Sequence, residues 1–479
     1  MNKSLKINAI LNIIYTIVNI LFPLITFPYV SRILLVENIG KVNFFNSLAN
    51  YAIVFGSLGI STYGIRAVAR VKDDEEKLNK VTQELLFLNI IATIVVTVLL
   101  LISSIFVTKF KDNILLFSIY LFYILVSPAA INWLYSGLEQ YKYITKRALL
   151  IKLISFAAIF IFIKNKDDVI IYSLVLILAN VAGYICNIIH SKTLVNYKKT
   201  KLEFREHIKP MLILFASILA VYVYIHLDTL MLGFICGDFE VGLYTVAVYV
   251  KTALLNIVNA ISVVLLPRMS YYISNGNDSE GNKLIRKSTT IIFILSVPLT
   301  AFFIQNAFDS IMFLGGTEYI GSVRCMQIIM PILLLSGFSN ILGNQILIPR
   351  GKEKWFLLAV SCGAFVDIIF NAVLMPNFGC IGAAVATLMA ETMQMSIQLY
   401  ASRKYLCNNI NHKSIVIIIV ATLVAFAGTM TISRYIDFNP LLNLTLNGII
   451  FFVIYGIILI ISREEESYAI VNGIKEKIT

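Results

Sequence analysis

The stretch ELLFLNIIATIVVTVLLLISSIFV, residues 84–107, decides the fold. Its one charged residue is Glu84, at the first position. Wound as a helix at ~1.5 Å per residue it measures about 36 Å. That crosses the ~30 Å hydrocarbon core of a bilayer. No water is present at that depth, so every backbone N–H and C=O must be paired inside the helix. Reading outward, similar stretches follow one another with little between them. The spans fall near 8–31, 40–65, 84–107, 113–136, 146–163, 169–190, 209–235, 241–267, 288–313, 325–348, 355–376, 379–402, 414–434 and 441–461. The expected fold is an all-α polytopic membrane protein with about 14 transmembrane helices. Only Asn377 and Phe378 join the eleventh span to the twelfth, so that turn is tight.

Composition agrees: the chain has 479 residues, 58% hydrophobic and 14% charged. The longest polar connections, near 67–83, 191–207 and 270–287, are too short to bury a core of their own. A soluble catalytic domain is therefore excluded. The net charge of +12 would point to nucleic acid in a soluble protein; here basic loops orient helices, and no nucleic-acid partner is expected. The first apolar run follows Lys3 and Lys6. It is too long for a signal peptide, carries Pro23 and Pro28, and lacks a small-x-small cleavage site, so it reads as a retained helix. The six cysteines form no CxxC pair, which leaves neither a disulfide framework nor a zinc site. HExxH, GxGxxG and GxxxxGK[ST] are all absent. No enzyme, metal or cofactor is indicated, and ATP drive within this chain is unexpected.

Orientation can be counted. With the N-terminus inside, the inner segments carry 30 Lys and Arg and the outer ones 8, with Lys251 inside a span. Both termini are then cytoplasmic. An internal repeat runs through the same map. Gly137-Leu-Glu139 returns as Gly351-Lys352-Glu353, and Glu37-Asn-Ile-Gly40 as Glu240-Val-Gly242, six spans apart each time. An even offset keeps the copies in one orientation, so two parallel six-helix lobes are expected, with two extra helices. The lobes are residues 1–207 (spans 1–6) and 208–408 (spans 7–12); residues 409–479 hold spans 13 and 14 and a cytoplasmic tail. Two lobes about a cleft form a transporter plan.

Several landmarks resemble one family. Phe27-Pro28-Tyr29-Val30-Ser31-Arg32-Ile33-Leu34 followed by Gly40 is similar to the first-helix signature of Wzx-type polysaccharide flippases. These belong to the multidrug/oligosaccharidyl-lipid/polysaccharide exporter superfamily. Gly64-Ile65-Arg66, Gly242-Leu-Tyr244, Leu266-Pro267-Arg268, Ile348-Pro349-Arg350-Gly351 and Met375-Pro376-Asn377-Phe378-Gly379 look like further family landmarks in the family's order. The resemblance implies a multi-pass protein of the bacterial cytoplasmic membrane. Its substrate would be a polyprenyl-pyrophosphate-linked oligosaccharide, moved from the inner to the outer leaflet for polysaccharide biosynthesis. Polysaccharide polymerase machinery is a candidate partner, and whether it binds stays open. A cation-coupled exporter of small molecules and a membrane glycan polymerase or ligase stay open as alternatives.

Ionisable groups at membrane depth cost about 2.5–3.5 kcal/mol each on insertion scales and usually face a cavity or a partner. The deep ones are Asp228, accompanied by His226, then Lys251, Asp367 and Glu391, with Arg32 and Arg66 nearer the helix ends. Asp228 and Lys251 fall at matched depth on adjacent spans. They read either as a structural clamp or as a cationic docking point for pyrophosphate tuned by its acid. Arg32 and Arg66 can hold phosphate oxygens in a bidentate way, or snorkel to the interface. Asp367 and Glu391 are candidates for carrying a proton or sodium ion, or for hydrogen bonds to Asn371 and Gln394.

Overall fold

A computed structural model describes residues 3–198, 201–275, 277–406, 410–433, 438–464 and 466–468. Cys407 and the tail beyond Tyr468 lie outside the described residues, as does the His226 side chain. Among the described residues the chain is helical without strands, and it divides into two compact units, Met1–Leu230 and Met231–Thr479.

The first unit contains α1 (Lys3–Ser57), α2 (Ile60–Val71), α3 (Glu75–Phe106), α4 (Thr108–Asp112), α5 (Ile114–Val126), α6 (Asn132–Gly137), α7 (Tyr141–Phe162), α8 (Val169–Ser191) and most of α9 (Arg205–Ile235). The reason this is a membrane fold shows in α3. Its face toward the protein is polar: Thr82, Asn89, Thr93 and Thr97 are buried there. Its opposite face leaves Leu99 60% and Phe106 79% exposed. A soluble helix would unfold its neighbours with that arrangement; in lipid the apolar face needs no protein cover. Asp74 caps the start of α3 by accepting the Lys77 N–H at 3.1 Å, as acidic N-caps do. Aromatic rings fill the far end of the unit, where Phe110 stacks on Phe117 at 4.7 Å and Tyr120 donates to the Val42 carbonyl at 3.2 Å.

Two of the continuous spans expected in this unit are broken. Span two stops at Ser57 and restarts at Ile60 after a 40° bend, with Leu58 (φ 45°) and Gly59 (φ 82°) left-handed. Span four stops at Val126, passes through a 3₁₀ turn at Ser127–Ala130 and a left-handed Ile131 (φ 34°), then resumes as α6. Pro128 explains the second break, since it cannot donate to the helix ladder. The short pieces α2 and α6 then pack closely: a Cβ on Gly64 would lie 2.8 Å from the Trp133 ring, and one on Gly137 2.6 Å from Val68.

The second unit contains α10 (Asp238–Ser274), α11 (Asp278–Gln305), α12 (Ala307–Leu314), α13 (Ser322–Ile329), α14 (Ile332–Asn340), a π-helical turn (Ile341–Leu347), α15 (Glu353–Leu406), α16 (His412–Ile432) and α17 (Pro440–Ile461). The helix α15 reverses at Gly379 (φ 52°): a Cβ on Gly382 would lie 2.7 Å from the Leu374 carbonyl. Residues eight apart in a continuous helix are separated by ~12 Å, so the two arms are folded back on each other. The Glu240 carboxylate closes the turn by accepting the Cys380 N–H at 2.7 Å. This is the tight turn expected after Pro376. Helices α16 and α17 pack on each other and on α11 through Phe302, Ala421, Ala425, Phe451 and Tyr455. Among the described residues, nine helices are long and apolar enough to cross a membrane, or ten with the bent pair around Gly59 taken as one span. The reversing α15 enters that tally once.

Candidate functional site

The first unit holds two cavities that meet at one residue. The first, about 300 Å³, lies between α7, α8 and α1. On α7 it is lined by Arg147, Ala148, Ile151, Lys152 and Ser155; on α8 by Leu176, Ala179, Asn180, Gly183 and Tyr184. Both sets follow the period of one helix face. Small residues at 148, 179 and 183 leave the room, and two cations project into it. Lys152 lies over the Phe22 ring, 5.4 Å from its centroid.

Arg147 is fixed by neutral groups. One guanidinium nitrogen donates to the Asn187 side chain and to the Gly183 carbonyl at 3.3 Å, the other to Asn132 Oδ1 at 3.4 Å. Its Nε is buried without an acceptor. Asn187, fully buried, also donates to Asn132 Oδ1 at 3.0 Å and to the Ala130 carbonyl. Among the described residues that line the cavity there is no Asp or Glu. Neither α7 nor α8 contains Asp or Glu, and the first acidic residue of the chain is Glu37. A half-buried guanidinium held by neutral groups is a fitting host for an anion.

The second cavity, about 270 Å³, opens at the two helix breaks. Ser57, Ser61, Asn89, Ser127, Asn132, Trp133 and Ser136 supply its polar lining, and none of the described lining residues is charged. Asn132 lines both cavities. A larger depression of about 850 Å³ lies among loop residues at Lys72–Glu75 and Lys192–Tyr197. It carries both signs of charge on a surface loop and offers no such selectivity.

A buried chain of hydrogen bonds lies nearby in the same unit. Tyr63 bonds His207 Nδ1 at 2.8 Å, His207 Nε2 bonds Glu84 at 2.8 Å, and Glu84 accepts the Glu203 N–H at 2.7 Å. Glu84 and His207 are almost wholly buried. At the exposed end, the Lys80 ammonium, 2.7 Å away, holds the Glu203 carboxyl below the usual carboxylate range.

The residues singled out in the sequence are distributed differently. Arg32 is exposed and donates to the Pro28 carbonyl at 3.0 Å; Arg66 is exposed on α2. Asp228 is buried on α9 in the first unit. None of these three lines either cavity. Lys251 is half-buried on α10, in the second unit. Asp367 and Glu391 are buried on opposite arms of α15, each twelve residues from Gly379. In the same unit the buried Ser339 hydroxyl donates to Gln398 at 2.7 Å and accepts from the Gln394 amide at 3.0 Å. Sequence reading missed Arg147 and Lys152 because both count as basic loop residues in the orientation tally. The signal that exposes them is the helical spacing of Arg147, Ile151 and Ser155 within an acid-free helix.

Known proteins share this architecture. A relative in Escherichia coli (strain K12), named "Putative O-antigen transporter", is 26% identical over 407 residues, covering 82% of this chain and 96% of its own. The capsular polysaccharide biosynthesis protein CapF of Staphylococcus aureus is 27% identical over 166 residues, 34% of this chain and 41% of its own. Among solved structures, the lipid II flippase MurJ in an inward closed conformation aligns with a TM-score of 0.75 at 15% identity, covering 95% of this chain and 99% of that one. A MATE transporter in the bent conformation aligns at 0.54 and 16% identity, covering 81% of this chain and 91% of that one. Those two likenesses show the fold. The model of the polysaccharide biosynthesis protein family matches residues 5–273, more than half of the sequence, and this chain belongs to that family.

Proposed function

We propose that this chain is a flippase that carries a polyprenyl-pyrophosphate-linked oligosaccharide from the inner to the outer leaflet of the bacterial cytoplasmic membrane. The single observation that carries the reading is the acid-free cavity with Arg147 and Lys152. A pyrophosphate is a compact anion; a guanidinium and an ammonium in a low-dielectric cavity are its natural hosts. The glycan crosses through polar space while the polyprenyl tail stays in lipid. Relatives named as transporters and flippases support a transport role rather than catalysis. The same cavity argues against an exporter of organic cations, which two fixed positive charges would repel.

The other charged residues take supporting roles in this reading. Arg32 and Arg66 in the first unit and Lys251 in the second are the proposed further anion-holding points. Asp367 and Glu391, buried within the α15 hairpin, are the proposed carriers of a coupling proton or sodium ion. Two lobes of six spans with two added helices would alternate access between the faces.

The test is direct binding of a polyprenyl pyrophosphate to purified protein, with Arg147→Gln and Lys152→Met as variants. Each removes one charge-assisted contact, worth ~1.5–3 kcal/mol. The expected result is a loss of affinity between about tenfold and a hundredfold in each variant, with the folded fraction unchanged. Equal affinity in wild type and both variants would remove the cavity from the function.

A further inference from the structure

We infer that the uncharged cavity beside the cationic one is a sugar subsite, which holds the first sugar ring of the lipid-linked substrate. The inference rests on reading the cationic cavity as the pyrophosphate site and adds what lies next to it. In such a lipid the first sugar is bonded directly to the pyrophosphate, so its site must adjoin the phosphate site. The two cavities adjoin here: Asn132 faces both, and its Oδ1 is held by Arg147 and Asn187.

The chemistry of the lining selects the occupant. An anion finds no cation in the second cavity, and a cation finds no carboxylate, among the described residues. A hydrocarbon would leave Asn89, Ser127 and Ser136 facing it without partners, at the cost of unsatisfied polar groups. A sugar ring matches both features, offering hydroxyls to these groups and C–H faces to an indole. Trp133 is 5% exposed, and its N–H has no acceptor among the described residues. The side chain of Asn89, also nearly buried, has among the described residues one long 3.5 Å contact, from Thr93. Buried polar groups of this kind are normally satisfied.

The cavity is also built at a cost that ordinary packing does not require. Leu58 and Ile131 are left-handed, a conformation unfavourable for residues with a Cβ, and both lie at the helix breaks that open this space. Discontinuous helices at membrane depth are tolerated where they line a cavity. The breaks therefore serve the cavity, and the close packing of Trp133 on Gly64 holds the indole at its wall.

The experiment uses full-length protein carrying Trp355→Phe, which leaves Trp133 as the one tryptophan. Two probes are titrated: a polyprenyl pyrophosphate, and the same lipid bearing one neutral hexose. Both should bind through Arg147 and Lys152, but only the sugar-bearing lipid should shift Trp133 emission. It should also bind about tenfold more tightly than the bare lipid. Asn89→Leu, and separately Trp133→Phe followed by direct binding, should remove that preference and leave bare-lipid affinity intact. If both probes bind equally, with unchanged emission, the sugar subsite is wrong and the pyrophosphate reading stands. If neither probe binds, the pyrophosphate reading fails and the subsite falls with it.

Discussion

At the scale of single residues, the buried carboxylate of Glu84 shows how a charge near the membrane is answered by partners. Glu84 opens the stretch that decides the fold, yet it is 2% exposed, bonded to His207 and to the Glu203 N–H. Removing it leaves a buried N–H and an imidazole without acceptors. Glu84→Ala should therefore lower stability by about 1–3 kcal/mol, read as a fall in the thermal unfolding midpoint of several degrees. An unchanged midpoint would show that the hydrogen-bond chain contributes nothing. Arg147 differs in kind, since its partners are all neutral. Its burial was not legible in the sequence. The orientation tally counts Lys142 to Lys152 with an inner segment, and a span placed near 146–163 does not say which way the side chains on α7 point. Asp367 and Glu391 were easier to find, because each stands alone in a long apolar run.

At the scale of helices, the breaks are unevenly legible in the sequence. The reversal in α15 is written plainly: Pro376, Asn377 and Gly379 in succession interrupt an apolar run. The break at Leu58–Gly59 is not, because Ser57-Leu58-Gly59-Ile60 reads as ordinary helix with one glycine. What forces it is tertiary: a Cβ on Gly59 would lie 2.7 Å from the backbone of both Met211 and Phe215, where α9 presses on the bend. For α15, Gly379→Ala meets two penalties. The left-handed φ costs ~1–2 kcal/mol. The added Cβ would also lie 2.3 Å from the Glu240 carboxylate and displace it from the Cys380 N–H. Together these should cost roughly 2–4 kcal/mol. Glu240→Gln, which keeps the turn geometry, should cost less. Equal stability of Gly379→Ala and wild type in denaturant would contradict this account of the turn.

At the scale of the whole molecule, large apolar side chains stay exposed on the long helices, as on α3, around a core that is itself largely apolar. That is why composition alone was enough for the fold class, while site geometry was not. Hydropathy reports which residues lie in the membrane and is silent on which way they point. The measurement that tests the central claim is translocation itself. The protein would be reconstituted into vesicles containing a fluorescent polyprenyl-pyrophosphate oligosaccharide, and an impermeant quencher would report the share of lipid on the outer leaflet. Wild-type protein should move the inner-leaflet pool to the quencher, and Lys152→Met should slow that exposure by about tenfold or more. If the quenched fraction in wild-type vesicles matches that of protein-free vesicles, the chain does not flip this lipid and the account is wrong.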